Sequence, residues 1–211
     1  PLAVIKGTME VLIRKPRNQQ EYEEKIQFCI SEVDRLNHMV DQLLLLARFE
    51  NQKQNVKQET IYLNALVLDN LTRFSEKSEN KKLKIKTEFT EDYYLISDNY
   101  LVSIIISNLI SNAIKYSNPN GEIAIELGKT NDEVTFSITD YGVGIAKNDL
   151  DKIFNSFYRS DVSNHPEIKG TGLGLSIVKR LCDLLRIKIS VESRINEKTK
   201  FILQFSSAKL K

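Results

Sequence analysis

Asn108, Asn112, Lys115 and Tyr116 fall at i, i+4, i+7 and i+8 of one largely apolar segment. On a helix that spacing puts them on a single stripe, away from Leu101, Ile105 and Ile106. Amide oxygens can coordinate Mg²⁺, an ammonium can neutralise phosphate, and a phenol ring can stack on a base. Taken alone, the stripe is equally compatible with a solvated face carrying an incidental tyrosine.

Three further segments could serve a phosphorylated ligand. Asp140-Tyr-Gly142-Val-Gly144 follows an alternating strand pattern at Val134, Phe136 and Ile138. A carboxylate only accepts hydrogen bonds, so an aspartate at a strand end could read an exocyclic amine, while the glycines leave room for close approach. By itself this is also an ordinary turn. Gly170-Thr171-Gly172-Leu173-Gly174-Leu175 opens another helical pattern. Small residues at a helix N-terminus expose backbone N–H groups to an anion. The spacing is neither that of a Walker A loop nor that of a dinucleotide fold. Between these two motifs lies Ile153-Phe154-Asn-Ser-Phe157-Tyr158-Arg159, then a polar stretch from Ser160 to Lys169. That stretch is long enough for a lid, with Arg159 and Lys169 flanking it, or for a plain surface loop.

The elements that must position these residues fall into two regions. Residues 1–50 read as helical throughout. Leu2, Ile5, Met9 and Leu12 repeat at helical spacing until Pro16 stops the first helix near Lys15. A second helix from about Gln20 to Glu50 carries Ile26, Cys29, Val33, Leu36, Val40, Leu43 and Ala47 at heptad positions. Ile30 and Leu44 widen that stripe to suit a four-helix bundle, most simply a dimer of two helical hairpins. A monomeric hairpin packed on the rest of the chain is the alternative. The first helix would be roughly 22 Å long and the second roughly 45 Å. The seam from Leu36 to Ala47 therefore lacks a partner, and helix one is expected to continue upstream of Pro1, this sequence being a fragment. Residues 51–60 are polar and aperiodic and read as a linker.

From residue 61 to 211 the pattern mixes helices and strands. Helices fit at about 62–79, 98–117, 147–157 and 172–186. Strands fit at 83–89, 122–128, 133–139, 187–193 and 200–206, with Asn131 and Asp132 at a turn. Without regular βαβ alternation, this predicts an α/β two-layer sandwich with a mixed sheet.

Composition narrows the class. The chain has 211 residues and 30 basic against 28 acidic side chains. A net charge of +2 gives no argument for nucleic-acid or membrane-surface binding. No apolar run reaches about 18 residues, so no membrane span is expected. Two cysteines, Cys29 and Cys182, sit in helical apolar patterns, which reads as a reducing compartment without a disulfide framework.

Together the motifs, in this order and spacing, resemble the catalytic core of bacterial sensor histidine kinases. NLISNAIKYS is similar to that family's N box, DYGVG to its G1 box, IFNSFYR to its F box and GTGLGLSIVK to its G2 box. Leu63 to Leu71 and Ser97-Asp98 match further family positions. The heptad helix ending LLLLARFE resembles the second helix of the dimerisation and histidine-phosphotransfer domain. The resemblance implies an ATP-binding fold of the Bergerat type in residues 61–211, shared with heat-shock chaperone ATPases and type II topoisomerases. It implies ATP and Mg²⁺ as ligands. Asn112 would hold the metal with Asn108 supporting it, and Lys115 would meet phosphate. Tyr116 would lie along the adenine and Asp140 would bind its amine. Gly142, Gly144 and Ile145 would border the base, with Thr199 nearby. Phe157 would anchor the lid and Arg159 would approach the terminal phosphates. Gly170, Thr171, Gly172, Leu173, Gly174 and Leu175 would cradle the phosphates. Implied partners are a second copy through residues 1–50 and the receiver domain of a response regulator, with no nucleic acid. Such proteins are usually membrane-anchored by upstream segments.

Asn108 separates two activities. Hydrolytic relatives carry a glutamate there to activate water, and an amide cannot act as a general base. The resemblance therefore implies transfer to a protein acceptor over ATP hydrolysis or a chaperone-like cycle. Pro1-Leu2 are similar to the end of the family's His-Glu-Leu-Arg-Thr-Pro-Leu box, so the phosphoacceptor is expected just upstream of Pro1. His38 lies off the heptad seam and His165 in the polar stretch, and neither reads as its substitute. Tyr141 stands where the family's G1 box usually has asparagine. Leu185-Arg186-Ile187 replaces a common His-Gly-Gly turn, and Glu197-Lys198-Thr199 lacks glycine, departures expected to touch strand pairing and no ligand.

Overall fold

Pro16 sets the first boundary. In the computed structural model, helix α1 (Leu2–Ile13) ends just before it. Asn18 then begins α2 (Gln19–Glu50) by accepting the Glu21 N–H through Oδ1 at 2.8 Å, while its Nδ2 donates back to Glu21 Oε1 at 3.2 Å. The structure describes residues 1–50, 56–130, 133–160 and 170–206, with the backbone alone at residues 38 and 45–50. His165, Lys169, Asn131 and Asp132, and the side chains of His38 and Ala47, lie outside the described residues. Two compact units divide the chain, Pro1–Lys53 and Gln54–Lys211.

In the first unit α1 and α2 pack on each other. Leu12 and Cys29 are buried, whereas Ile26, Val33, Val40 and Leu43 expose between 43% and 50% of their surface. The expected seam is thus only partly covered within one copy.

The second unit is a helix layer on a mixed sheet. The main sheet runs β2 (Lys84–Phe89), β4 (Glu122–Thr130), β5 (Glu133–Asp140), β7 (Lys198–Phe205) and β6 (Lys188–Arg194), in that spatial order. The β2–β4 pair is parallel and the others antiparallel. One face of the sheet is apolar by alternation. Ile125 lies opposite Ile138 and Leu127 opposite Phe136. Across the next ladder, Ile138 faces Phe201 and Phe136 faces Leu203. All six are buried, each contributing about 1.5–3 kcal/mol of burial free energy. Helices α3 (Leu63–Thr72), α5 (Asn99–Tyr116) and α6 (Gly174–Leu185) form the other layer, with α5 packed on both α3 and α6 and against β5.

Several expectations need correcting. The helix expected at 62–79 is two, α3 and α4 (Ser75–Asn80), broken at Arg73-Phe74. A strand β1 (Glu59–Tyr62) begins inside the stretch read as linker and pairs antiparallel with an unforeseen β3 (Tyr94–Ser97). Both are only four residues long, too short for alternation to stand out from the helix that follows. Residues 147–157 are not an α-helix. A 3₁₀ turn at Lys147–Asp149 leads into further tight turns, closed by Asn155 N–H to Lys152 O and Tyr158 N–H to Asn155 O. Phe157 has φ of +65°, which a right-handed helix cannot contain.

Candidate functional site

Asp140 is the last residue of β5 and continues the inward row of Phe136 and Ile138. Its register partners are Ile123 on β4 and Thr199 on β7. The strand therefore ends by pointing a carboxylate at the buried layer, where it is 5% exposed. Burial pushes its carboxyl up to about 7, against the pull of the Gly142 N–H and the Lys81 ammonium. Oδ1 is buried and has no hydrogen-bond partner among the described residues. Leaving such an atom unsatisfied costs about 1–3 kcal/mol. A ligand N–H is the kind of group that would satisfy it.

A cleft opens beside that carboxylate, with about 600 Å³ of empty space, part of it open solvent. Asn112 and Tyr116 line it from α5, Leu175 from α6, and Thr199 from β7. Gly144 and Ile145 line it from the loop after β5, and Arg159 from the segment before residue 160. Sequence reasoning placed all of these at the site. It missed Val143, Ile153, Tyr158, Ser160 and Phe201, which complete the walls. Phe201 lies two residues beyond Thr199 on the same face, so strand alternation was the signal that could have found it.

The loop after Asp140 is clamped from both sides. A Cβ on Gly142 would collide with the Tyr116 carbonyl at the end of α5. Val143 donates to that same carbonyl at 3.2 Å. On the other side Asn196 N–H donates to Val143 O at 2.9 Å, and Ile145 N–H donates to Ser193 Oγ at 2.8 Å. Gly144 has φ of +69°, and a Cβ there would meet the Arg194 backbone. A Cβ on either glycine would thus meet protein backbone first.

Lys115 stands over the Tyr116 ring at 4.8 Å from its centroid and donates to Tyr116 Oη at 3.3 Å. Burial raises the Tyr116 phenol and Arg159 partly offsets that. A Cβ on Gly170 would collide with Lys115 Nζ, so the start of the small-residue loop lies against α5. Asn108 is part-buried one helical turn before Asn112; its Nδ2 donates to Ile104 O at 2.9 Å. Its Oδ1 would lie 2.9 Å from a Cβ on Gly174. Leu173 is buried and its N–H donates to Thr171 Oγ1 at 3.2 Å. Among the described residues no side chain makes a capping hydrogen bond at the α6 N-terminus. Asn108, Lys115 and the Gly170–Gly174 loop thus neighbour the cleft without lining it.

Residues 97–209 match the profile of the histidine kinase-, DNA gyrase B- and HSP90-like ATPases. The chain belongs to that family. Residues 1–52 match the His Kinase A (phospho-acceptor) domain. Sensor protein IrlS of Burkholderia pseudomallei is 31% identical over 205 residues, covering 97% of this chain and 44% of that protein. Sensor protein kinase GraS of Staphylococcus aureus is 34% identical over 199 residues, covering 93% of this chain and 55% of GraS. The chain thus spans about half the length of these relatives. Among solved structures, the Acinetobacter baumannii histidine kinase AdeS superposes with a TM-score of 0.80 at 24% identity, covering 99% of this chain and 96% of that one. The catalytic domain of histidine kinase ThkA gives 0.62 at 28% identity, covering 71% of this chain and 95% of that domain.

Within this ATPase-family domain, Phe157, expected to anchor the lid, is 65% exposed. What is tied is its backbone, since Phe157 N–H donates to Gly172 O at 2.9 Å. Gly172 has φ of +75°, and a Cβ there would strike the Phe157 backbone. Tyr158 adds a second tie, its hydroxyl donating to Asp149 Oδ1 at 2.7 Å. The two departures near the C-terminus are absorbed locally. Arg186 takes the left-handed C-cap of α6 at φ 57°, and Asn196 takes φ 57° in the β6–β7 turn, so the ladder keeps its register.

Proposed function

We propose that this chain is the catalytic core of a sensor histidine kinase of a two-component system. Its second unit binds Mg-ATP and delivers the γ-phosphoryl group to a histidine, for relay to an aspartate of a response regulator. The observation that carries the reading is the buried, unpartnered Asp140 Oδ1 facing a cleft lined by Asn112, Tyr116 and Thr199. The exocyclic amine of adenine supplies the missing donor, and Tyr116 packs along the base. Arg159 and the amide end of α6 meet the phosphates. Asn112, supported by Asn108, fits a hard cation that also takes phosphate oxygens, since among the described residues no cluster of three His, Cys, Asp or Glu offers an all-protein site. Such an ion would neutralise phosphate charge.

In the transfer the bond from the γ-phosphorus to the β–γ bridging oxygen breaks as a bond to an imidazole nitrogen forms, and ADP leaves. Positioning and charge neutralisation suffice for that chemistry. Asn108 cannot take a proton from water, which favours a protein acceptor. The acceptor is a histidine other than His38 and His165. A dimer through residues 1–50 would cover the half-exposed Ile26, Val33, Val40 and Leu43. The ThkA kinase, solved with response regulator TrrA, has the same fold with a TM-score of 0.78, and a receiver domain is the partner proposed here. As for membranes, no helix among the described residues is long and apolar enough to cross one.

Calorimetric titration of the chain with Mg-ATP tests the reading and should show saturable binding. Incubation with γ-labelled ATP should leave the isolated chain unlabelled. Failure to bind any adenine nucleotide would sink the proposal, and steady turnover to ADP at the rate of a dedicated ATPase would replace it with hydrolysis.

A further inference from the structure

Lys81 follows α4 and lies outside every motif considered above. Its ammonium donates to three carbonyls at the C-terminal end of α5, those of Ile114 at 3.0 Å, Lys115 at 2.8 Å and Ser117 at 2.9 Å. An ammonium has three donors, and all are used. Those carbonyls belong to the end of a helix, where partial negative charge gathers and intrahelical donors run out. The residue is held in place from its own side too. Lys82 takes φ of 53°, with its N–H on Glu79 O at 2.8 Å and the Leu83 N–H on Ser78 O at 2.9 Å, which closes α4 tightly. Asn120 N–H donates to Lys81 O at 2.9 Å, so the backbone of Lys81 is also bound to the turn after α5.

What Lys81 grips is the part of α5 that shapes the cleft. The Tyr116 carbonyl, between two gripped residues, accepts from Val143, and Ser117 bridges to Gly142. Two residues before Gly142 comes Asp140, whose carboxylate and the Lys81 ammonium attract each other. The other ionisable groups lining the cleft are Tyr116 from α5 and Tyr158 and Arg159 from the segment before residue 160. Ile123 and Thr199, the strand neighbours of Asp140, do not titrate.

We propose that Lys81 is a positioning residue of the nucleotide site. It clamps the end of α5 so that Tyr116 and Ser117 hold the loop after Asp140, and its ammonium attracts the Asp140 carboxylate across that loop. The proposal rests on the nucleotide-binding reading given above. Lysine suits the role because the three N–H groups of a compact ammonium radiate from one atom to three clustered carbonyls, whereas a guanidinium spreads its donors over a planar fork.

The test is binding of a non-hydrolysable ATP analogue with magnesium, followed by calorimetry from pH 5.5 to 8.5, with thermal melts as a check of folding. Lys81→Met should bind about tenfold more weakly at pH 7, and the midpoint of its acid-side loss of binding should rise by about half a pH unit or more. Lys81→Gln keeps a donor but no charge, so its midpoint should rise while its melt stays close to that of the unsubstituted chain. Lys81→Arg keeps the charge, so its midpoint should stay in place while its affinity falls. An unchanged midpoint in folded Lys81→Gln overturns the proposal even if Lys81→Met does not fold, as does an affinity loss in Lys81→Met that is equal at every pH. Absence of binding by the unsubstituted chain overturns the nucleotide reading itself, a distinct result.

Discussion

Asp140 and Thr199 face each other across the β5–β7 ladder, and Thr199 is anchored in turn by a 2.9 Å hydrogen bond with Ser193 Oγ. Ser193 Oγ also accepts the Ile145 N–H at 2.8 Å. One small polar chain therefore joins the floor of the cleft to the loop that walls it. Among the described residues each group in it has a protein partner except Asp140 Oδ1, which is why the proposed ligand is placed at that atom.

Asp140→Asn should abolish adenine recognition. The replacement keeps the shape but turns part of an acceptor into a donor facing the amine. Calorimetry should show a loss of about 2–3 kcal/mol in binding of ATP and of adenosine alike. Equal affinity for either ligand would remove Asp140 from the site.

The same carboxyl should make the ligand-free chain less stable as pH rises. Its folded value, about 7, lies above its ordinary value of 3.8. Below pH 3.8 both states hold the proton and there is no penalty. Between the two values the folded state keeps a proton that the unfolded state has lost, so stability falls with rising pH, by a few kcal/mol at most, and levels off above 7. Denaturant titrations at pH 5 and pH 8 should therefore differ less in Asp140→Asn than in the unsubstituted chain. At pH 8 the variant should be the more stable protein and the weaker binder.

Gly172→Ala should cost about 1–3 kcal/mol, because φ of +75° and the Phe157 backbone both oppose a side chain there. Nucleotide affinity should fall with it. Gly7→Ala is the contrast: nothing lies within 4 Å of a Cβ at that position inside α1, so the substitution should add about 0.5–1 kcal/mol. Thermal melts of the two variants moving in the same direction would contradict this account.

Asn112→Ala should separate the metal from the base. Affinity for ATP should lose most of its dependence on magnesium, while affinity for adenosine, which carries no phosphate, stays near that of the unsubstituted chain. Comparable losses for both ligands would mean that Asn112 holds the base instead.

The elements read correctly from the sequence are those whose pattern is long. The α5 helix is 18 residues long, and β4 and β5 are strands of 9 and 8 residues that carry apolar side chains at alternate positions, Ile123, Ile125 and Leu127 on one and Val134, Phe136 and Ile138 on the other. Asp140 was legible because alternation at Phe136 and Ile138 fixes which way it points. The pair β1 and β3 was not, because Ile61 and Leu95 are single buried apolar residues in four-residue strands that find each other across α3, α4 and β2. Lys81 was illegible for a related reason. Its three acceptors lie 33 to 36 residues away, and nothing local distinguishes it from Lys82 beside it. The backbone tie from Phe157 N–H to Gly172 O was not legible either, because no side-chain type encodes it.

The order of strands also has a bearing on how the protein is born. Asp140 acquires its neighbour Thr199 only when β7 slots between β5 and β6. A ribosome releases residues 1–50 before residues 61–211, so in the proposed dimer these helices are free to find a second copy while the ATPase-family domain is still being made. The nascent chain can have no competent nucleotide cleft until β7 has emerged, so pairing with a sister chain can precede any encounter with ATP.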